Sequence, residues 1–125
     1  MKAERFQDLQ VYQSALRFQQ SVFELSNRFP KEERYALTDQ IRRSSRSIGA
    51  NLAEAWQKRR YQAHFLSKLT DSDGENAETQ HWIETCRLCG YLADAEVAQL
   101  MEQSEEIGRM LGSMIKNAPQ WCNHQ

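Results

Sequence analysis

Apolar side chains recur along this chain at alternating spacings of three and four residues, in four successive stretches. The first, about residues 8–28, sets Val11, Ala15, Phe18, Val22, Leu25 and Phe29 on one stripe, with Tyr12, Leu16 and Phe23 beside it. That spacing predicts an amphipathic helix that buries one face. Phe29 and Pro30 end it, because the residue before a proline is pushed out of the α region, while Glu32 and Glu33 suit the first turn of a new helix. The second stretch, about residues 35–57, carries Leu37, Ile41, Ser44, Ile48, Asn51 and Ala55 on its seam. Ser45, Ser47, Gly49, Ala50 and Ala53 surround the seam, and such small side chains admit a close neighbour, so this helix is expected to be the crowded, central one.

The third stretch, about residues 61–89, repeats the pattern with Phe65, Leu69, Ser72, Asn76, Thr79, Ile83 and Cys86. With a turn near Arg59 and Arg60, antiparallel counting brings Ser44 level with Asn76 and Ile48 near Ser72. A structural polar layer of Ser44, Asn51, Glu54, Asn76 and Glu78 is therefore expected between helices two and three, where polar seam residues cost stability but fix register. Thr70 to Glu75 is the poorest helix former of the chain, and a kink near Gly74 is expected. Gly90 suits a helix end, and Asp94 suits the cap of the last helix, about residues 94–117, striped by Val97, Leu100, Ser104, Ile107, Leu111 and Met114. Residues 118–125 are expected to fray. The sum is a single all-α domain, an antiparallel up-down-up-down four-helix bundle.

A chain of 125 residues has room for one core. No apolar run approaches the roughly 18 residues of a membrane span, and the start is charged without an apolar region behind it, so we expect a cytoplasmic protein with no membrane partner. Three cysteines do not make a disulfide scaffold. The net charge of −1 hides a segregation: eight basic residues stand against Asp39 and Glu54 from Arg34 to Lys68, and ten acidic ones against Arg87 from Leu69 to Glu106.

Arg42, Arg43, Arg46, Lys58, Arg59 and Arg60 form the candidate nucleic-acid-binding group, with Trp56 and Tyr61 near enough in sequence for base stacking. The competing reading has these charges solvating helix two or pairing with the acidic half. Glu78-x-x-His81 is half of the Glu-x-x-His pairing that di-metal bundles use, and Cys86-x-x-Cys89 has no second cysteine pair, with Cys122 and His124 only in the tail. We expect no metal, no cofactor and no catalytic residue, and read Cys86 as core filling. Trp82, Trp121, Phe18, Phe23 and Tyr12 are more aromatic bulk than one small core is expected to hide, which predicts burial between copies of the chain.

The order of several short pieces resembles the four helix bundle proteins also called 23S rRNA-intervening-sequence proteins. These are Phe6-x-Asp8-Leu9, Phe29-Pro30-x-Glu32-Glu33-x-Tyr35-x-Leu37, Gln40-Ile41-Arg42-Arg43-Ser44, Ser47-Ile48-x-x-Asn51-Leu52-Ala53-Glu54, Gly74-x-x-x-Glu78 and Gly90-Tyr91-Leu92. The resemblance runs from Phe6 to about Lys116. This chain has Ala55 where the family usually has Gly, and Glu75 where a Ser usually follows Gly74. The resemblance implies a homo-oligomeric ring, typically a pentamer, with no known catalysis, and it points to RNA or DNA, or to a nucleic-acid-handling protein, as partner. Two functions are therefore expected to compete: a non-enzymatic homo-oligomer presenting a basic surface to nucleic acid, and a purely structural or protein-interaction oligomer.

Overall fold

The computed structural model describes residues 2–122. Four long helices, α1 (Gln10–Ser26), α2 (Asp39–Gln57), α3 (Gln62–Cys89) and α4 (Asp94–Lys116), precede a short α5 (Ala118–Trp121), and among the described residues there is no strand. Each apolar stripe becomes the buried face of its helix. In α1, Val11, Ala15, Phe18 and Val22 are buried, while Leu25 and, just beyond the helix, Phe29 pack at the edge of the core. In α3 and α4 every seam position from Phe65 to Cys86 and from Val97 to Met114 is buried. Each large side chain taken out of water here, such as Phe65 or Leu69, stabilises the fold by about 1.5–3 kcal/mol before the entropy of ordering is subtracted.

Contacts between α2 and α3 run in opposite orders of residue number. Glu54 meets Lys68, Ile48 meets Ser72, and Ser44 meets Thr79. Between α1 and α4, Gln103 hydrogen-bonds Ser21, and Glu96 meets Arg28 just past the end of α1.

The junctions decide several details. A 3-10 turn (Lys31–Glu33) and a π turn (Arg34–Thr38) precede α2, and Ala36 leaves helical geometry at φ −120°, ψ −105°. Regular α-helix therefore begins later than the apolar pattern predicts, although Leu37 and Thr38 are already buried. At the end of α3, Gly90 takes the left-handed φ of 76° that glycine adopts without a side-chain penalty, and the Tyr91 N–H reaches back to the Cys86 carbonyl at 2.9 Å. Asp94 is not the cap of α4. Ala93 occupies that position, and its N–H donates to the Glu96 carboxylate at 2.9 Å.

Two expectations are corrected. The helix runs unbroken past Gly74, because buried Ser72, Asn76 and Thr79 tie the weak stretch to its neighbours on both sides of the glycine. The tail does not fray at residue 118, since Ala118 and Cys122 are buried and hold α5 on the core. Residues 123–125, including His124, lie outside the described residues.

Candidate nucleic-acid interface

The six candidate cations separate into two groups along α2, from Arg42 to Arg46 and from Lys58 to Arg60. Twelve residues of helix at 1.5 Å each place them roughly 18 Å apart. In the first group, Arg42 crosses to α1, donating from Nε to Ser26 Oγ at 2.7 Å and from Nη2 to Asn27 Oδ1 at 3.0 Å. Its guanidinium also lies 4.9 Å from the centroid of Phe23, with Arg46 at 5.6 Å from the same ring. Arg43 crosses the other way to α3 and pairs with Glu75 at 3.3 Å and with Glu78. Donating a hydrogen bond to Glu78 raises the Arg43 pKa, and accepting from Arg43, then from the Trp82 indole N–H, lowers that of Glu78. Glu75, the departure from the usual family residue, thus belongs to an ion pair. A shallow groove of about 660 Å³ opens beside Asp39, Arg42, Arg43, Arg46 and Ser47. Only Arg46 of its three arginines lacks a hydrogen bond or carboxylate partner among the described residues.

The second group is built differently. Lys58 and Arg60 are exposed at the α2–α3 connection, with Arg60 5.8 Å from the Tyr61 ring and Tyr61 56% exposed beside His64. Arg59 folds back. Its Nε donates to the Trp56 carbonyl at 2.9 Å, and its guanidinium sits 3.4 Å from the centroid of the Trp56 ring. Burial lowers the Arg59 pKa, and no carboxylate among the described residues offsets that cost. Trp56, expected to be available for stacking, is buried under this guanidinium; the aromatic ring lining the neighbouring pocket with it is Trp121, which sequence spacing did not point to.

The polar layer is real at its centre and different at its edges. Ser72 Oγ donates to the Ile48 carbonyl at 2.8 Å, and Thr79 Oγ1 donates to Ser44 Oγ at 2.8 Å. Asn76 turns to α4 instead of Ser44, donating to the Ser104 carbonyl at 3.0 Å and accepting from Ser104 Oγ at 2.7 Å. At 3.6 residues per turn, residue 76 lies about one turn beyond 72 and roughly 40° further round α3, whereas 79 lies about two turns on and roughly 20° the other way, so Asn76 faces α4 while Ser72 and Thr79 face α2. Asn51 bonds within its own helix to the Ser47 carbonyl, Glu54 is exposed and paired with Lys68 at 3.5 Å, and Glu78 lies at the edge of the α2–α3 contact with Arg43. None of these three joins the buried layer: Glu54 and Glu78 lie off the seam, and Asn51, a seam position by spacing, is only half-buried because Leu52 beside it takes the buried place.

Among the described residues no three His, Cys, Asp or Glu side chains group as metal ligands. Cys86 is buried, which pushes its thiol up to about 12, whereas Cys89 is exposed. The aromatic excess also resolves largely within the chain: Phe18 is fully buried, Phe23 lies under two arginines, Tyr12 packs edge-on against Phe6, and the half-buried Trp82 donates to Glu78. Among the described residues the exposed large apolar side chains are Tyr35, Tyr61 and Leu88.

Fold and site together define an all-α protein of four long helices, with arginine side chains serving both as helix-to-helix ties and as surface charge. The chain belongs to the 23S rRNA-intervening sequence protein family, whose model matches residues 7–113. It is similar to a protein with unknown function from the S23 ribosomal protein family of Bacteroides thetaiotaomicron VPI-5482. That crystal structure superposes with a TM-score of 0.78 at 32% identity, covering 85% of this chain and 95% of the other. A search of curated proteins finds no match. No helix among the described residues is long and apolar enough to cross a membrane.

Proposed function

We propose that the protein is a non-enzymatic, cytoplasmic helical-bundle module that binds the phosphates of RNA or DNA through the α2–α3 connection. The observation that carries this reading is the contrast between the two basic groups. Arg42 and Arg43 are occupied by Ser26, Asn27, Glu75 and Glu78, whereas Lys58, Arg59 and Arg60 have no carboxylate partner among the described residues, and Arg60 lies beside the exposed Tyr61 ring. Phosphate neutralisation by such cations is sequence-independent and sensitive to salt. The family description refers to 23S rRNA intervening sequences, so structured RNA is the first probe. Filter binding at two salt concentrations tests it. Lys58→Ala with Arg60→Ala is expected to weaken binding and to flatten the slope of log affinity against log salt by roughly 0.7–0.9 per lost phosphate contact. Absence of binding at low salt overturns the reading.

The scaffold for this module is read as an up-down-up-down antiparallel bundle, supported by the reversed pairing of α2 with α3 and of α1 with α4. A homo-oligomer, a pentameric ring by family resemblance, is supported by charge segregation. Arg46, Lys58 and Arg60 are exposed on and just after α2, while Glu102, Glu105 and Glu106 are exposed on α4, and such surfaces complement one another in head-to-tail association. Exposed Tyr35 and Leu88 add apolar surface. Were assembly the whole function, the oligomer would form and no nucleic acid would bind.

A further inference from the structure

A second concavity lies at one end of the bundle, where the last turn of α2 meets the N-terminal segment and α5. It encloses about 220 Å³ and is lined by Lys2, Trp56, Arg59, Gln120, Trp121 and Cys122, together with Ala3. No acidic side chain lines it, and two cations do. The Arg59 guanidinium is fixed from one side, by the Trp56 ring beneath it and by its Nε bond to the Trp56 carbonyl, and its terminal nitrogens have no hydrogen-bond partner among the described residues. A partly desolvated guanidinium without a counter-charge is poorly satisfied by the protein alone and well suited to an anion. Trp121 supplies a second aromatic surface. Buried Ala118 and Cys122 flank it in sequence and hold α5 in place, while Trp121 itself stays half-exposed.

The size restricts what enters. Sites for whole small molecules run to roughly 300–1,000 Å³, so this pocket accommodates one planar group of a longer ligand. An aromatic wall beside a pre-oriented guanidinium is the combination that holds one base and its phosphate, since every base offers a π-face and every nucleotide an anion.

We propose that this pocket seats a single base of single-stranded nucleic acid, stacked on Trp121, with the adjoining phosphate held by Arg59 and Lys2. The inference rests on the nucleic-acid reading above and adds to it a base-dependent contact on Trp121, beside the Arg59 that the two readings share.

Filter binding at low salt with a short oligothymidine and with an abasic backbone of the same length separates the two readings. The wild-type chain is expected to bind oligothymidine roughly tenfold more tightly than the abasic strand, as loss of one base–aromatic stack implies. Trp121→Ala is expected to abolish that preference while still binding the abasic strand, and Arg59→Ala to weaken both. Equal binding of the two strands by the wild type overturns the base seat and leaves the phosphate reading standing; binding of neither overturns both. Circular dichroism checks that the variants fold. If Trp121→Ala does not, quenching of wild-type tryptophan fluorescence decides: stronger quenching by oligothymidine than by the abasic strand supports the seat, and equal quenching overturns it.

Discussion

Asn76 shows how much a single polar side chain specifies in this core. It is buried, and its amide both donates to and accepts from Ser104 on α4, so neither end is left unpaired. Asn76→Ala removes both bonds, leaving the Ser104 hydroxyl with the Gln80 amide donating to it at 2.8 Å but without the acceptor for its own proton, and should cost about 1–3 kcal/mol in urea unfolding. Arg43 works at lower stakes because its ion pairs are partly exposed, with side-chain exposure of 47% against 34% for Glu78. Arg43→Ala should cost no more than about 1 kcal/mol. Its pH signature has a definite sign. The Glu78 carboxyl is held below its ordinary value chiefly by Arg43, so its contribution is present above the unfolded-state pKa and is lost as the pH falls through the lower, folded one. The stability gap between wild type and Arg43→Ala should therefore close on acidification, as urea titrations across the carboxylate range will show. Thiol chemistry separates Cys89 from Cys86: exposed Cys89 should alkylate in the native state, whereas burial keeps Cys86 protonated and covered until the chain unfolds, a difference read by mass spectrometry.

Among the helices, α3 departs most instructively from the intrinsic preferences of its residues. Its middle, from Thr70 to Glu75, contains the residues that favour turns and caps, and local preference alone argues for a kink. Tertiary bonds from Ser72, Asn76 and Thr79 outweigh that preference, because each satisfies a polar group that water cannot reach. Gly74 is then a residual weakness with no packing reason, since a Cβ there meets nothing within 4 Å. Gly74→Ala should stabilise the chain by about 1 kcal/mol in thermal or urea melts. Gly90→Ala should do the opposite by a similar amount, because φ of 76° is strained for any residue with a Cβ. The entry to α2 teaches the same lesson. Burial of Leu37 and Thr38 is satisfied there by a π turn, a geometry that an apolar repeat does not distinguish from ordinary helix.

On the scale of the whole molecule, part of the segregated charge is spent where helices touch, as Arg43 with Glu75 and Glu78 shows, while Lys68 with Glu54 and Arg28 with Glu96 add ties that do not join the basic half to the acidic one. Surface charge concentrates where that pairing stops, at the α2–α3 connection. If the remaining complementary faces drive assembly, light scattering should find a multimer at tens of micromolar that dissociates as salt is raised, and a strict monomer at low salt would contradict the proposed ring. The apolar repeat announced the four long helices and nearly all of the core, because burial of one face imposes its period on any helix regardless of its neighbours. Which partner each polar group meets was settled only when the helices packed: Asn76 against Ser104, Arg42 and Arg43 drawn to opposite sides of α2, Arg59 laid over Trp56, and Trp121 brought beside them from the far end of the chain. Hydrogen bonds and ring contacts act over a few ångströms and depend on rotation about the helix axis, so linear spacing carries the buried face but not the company each side chain keeps on it.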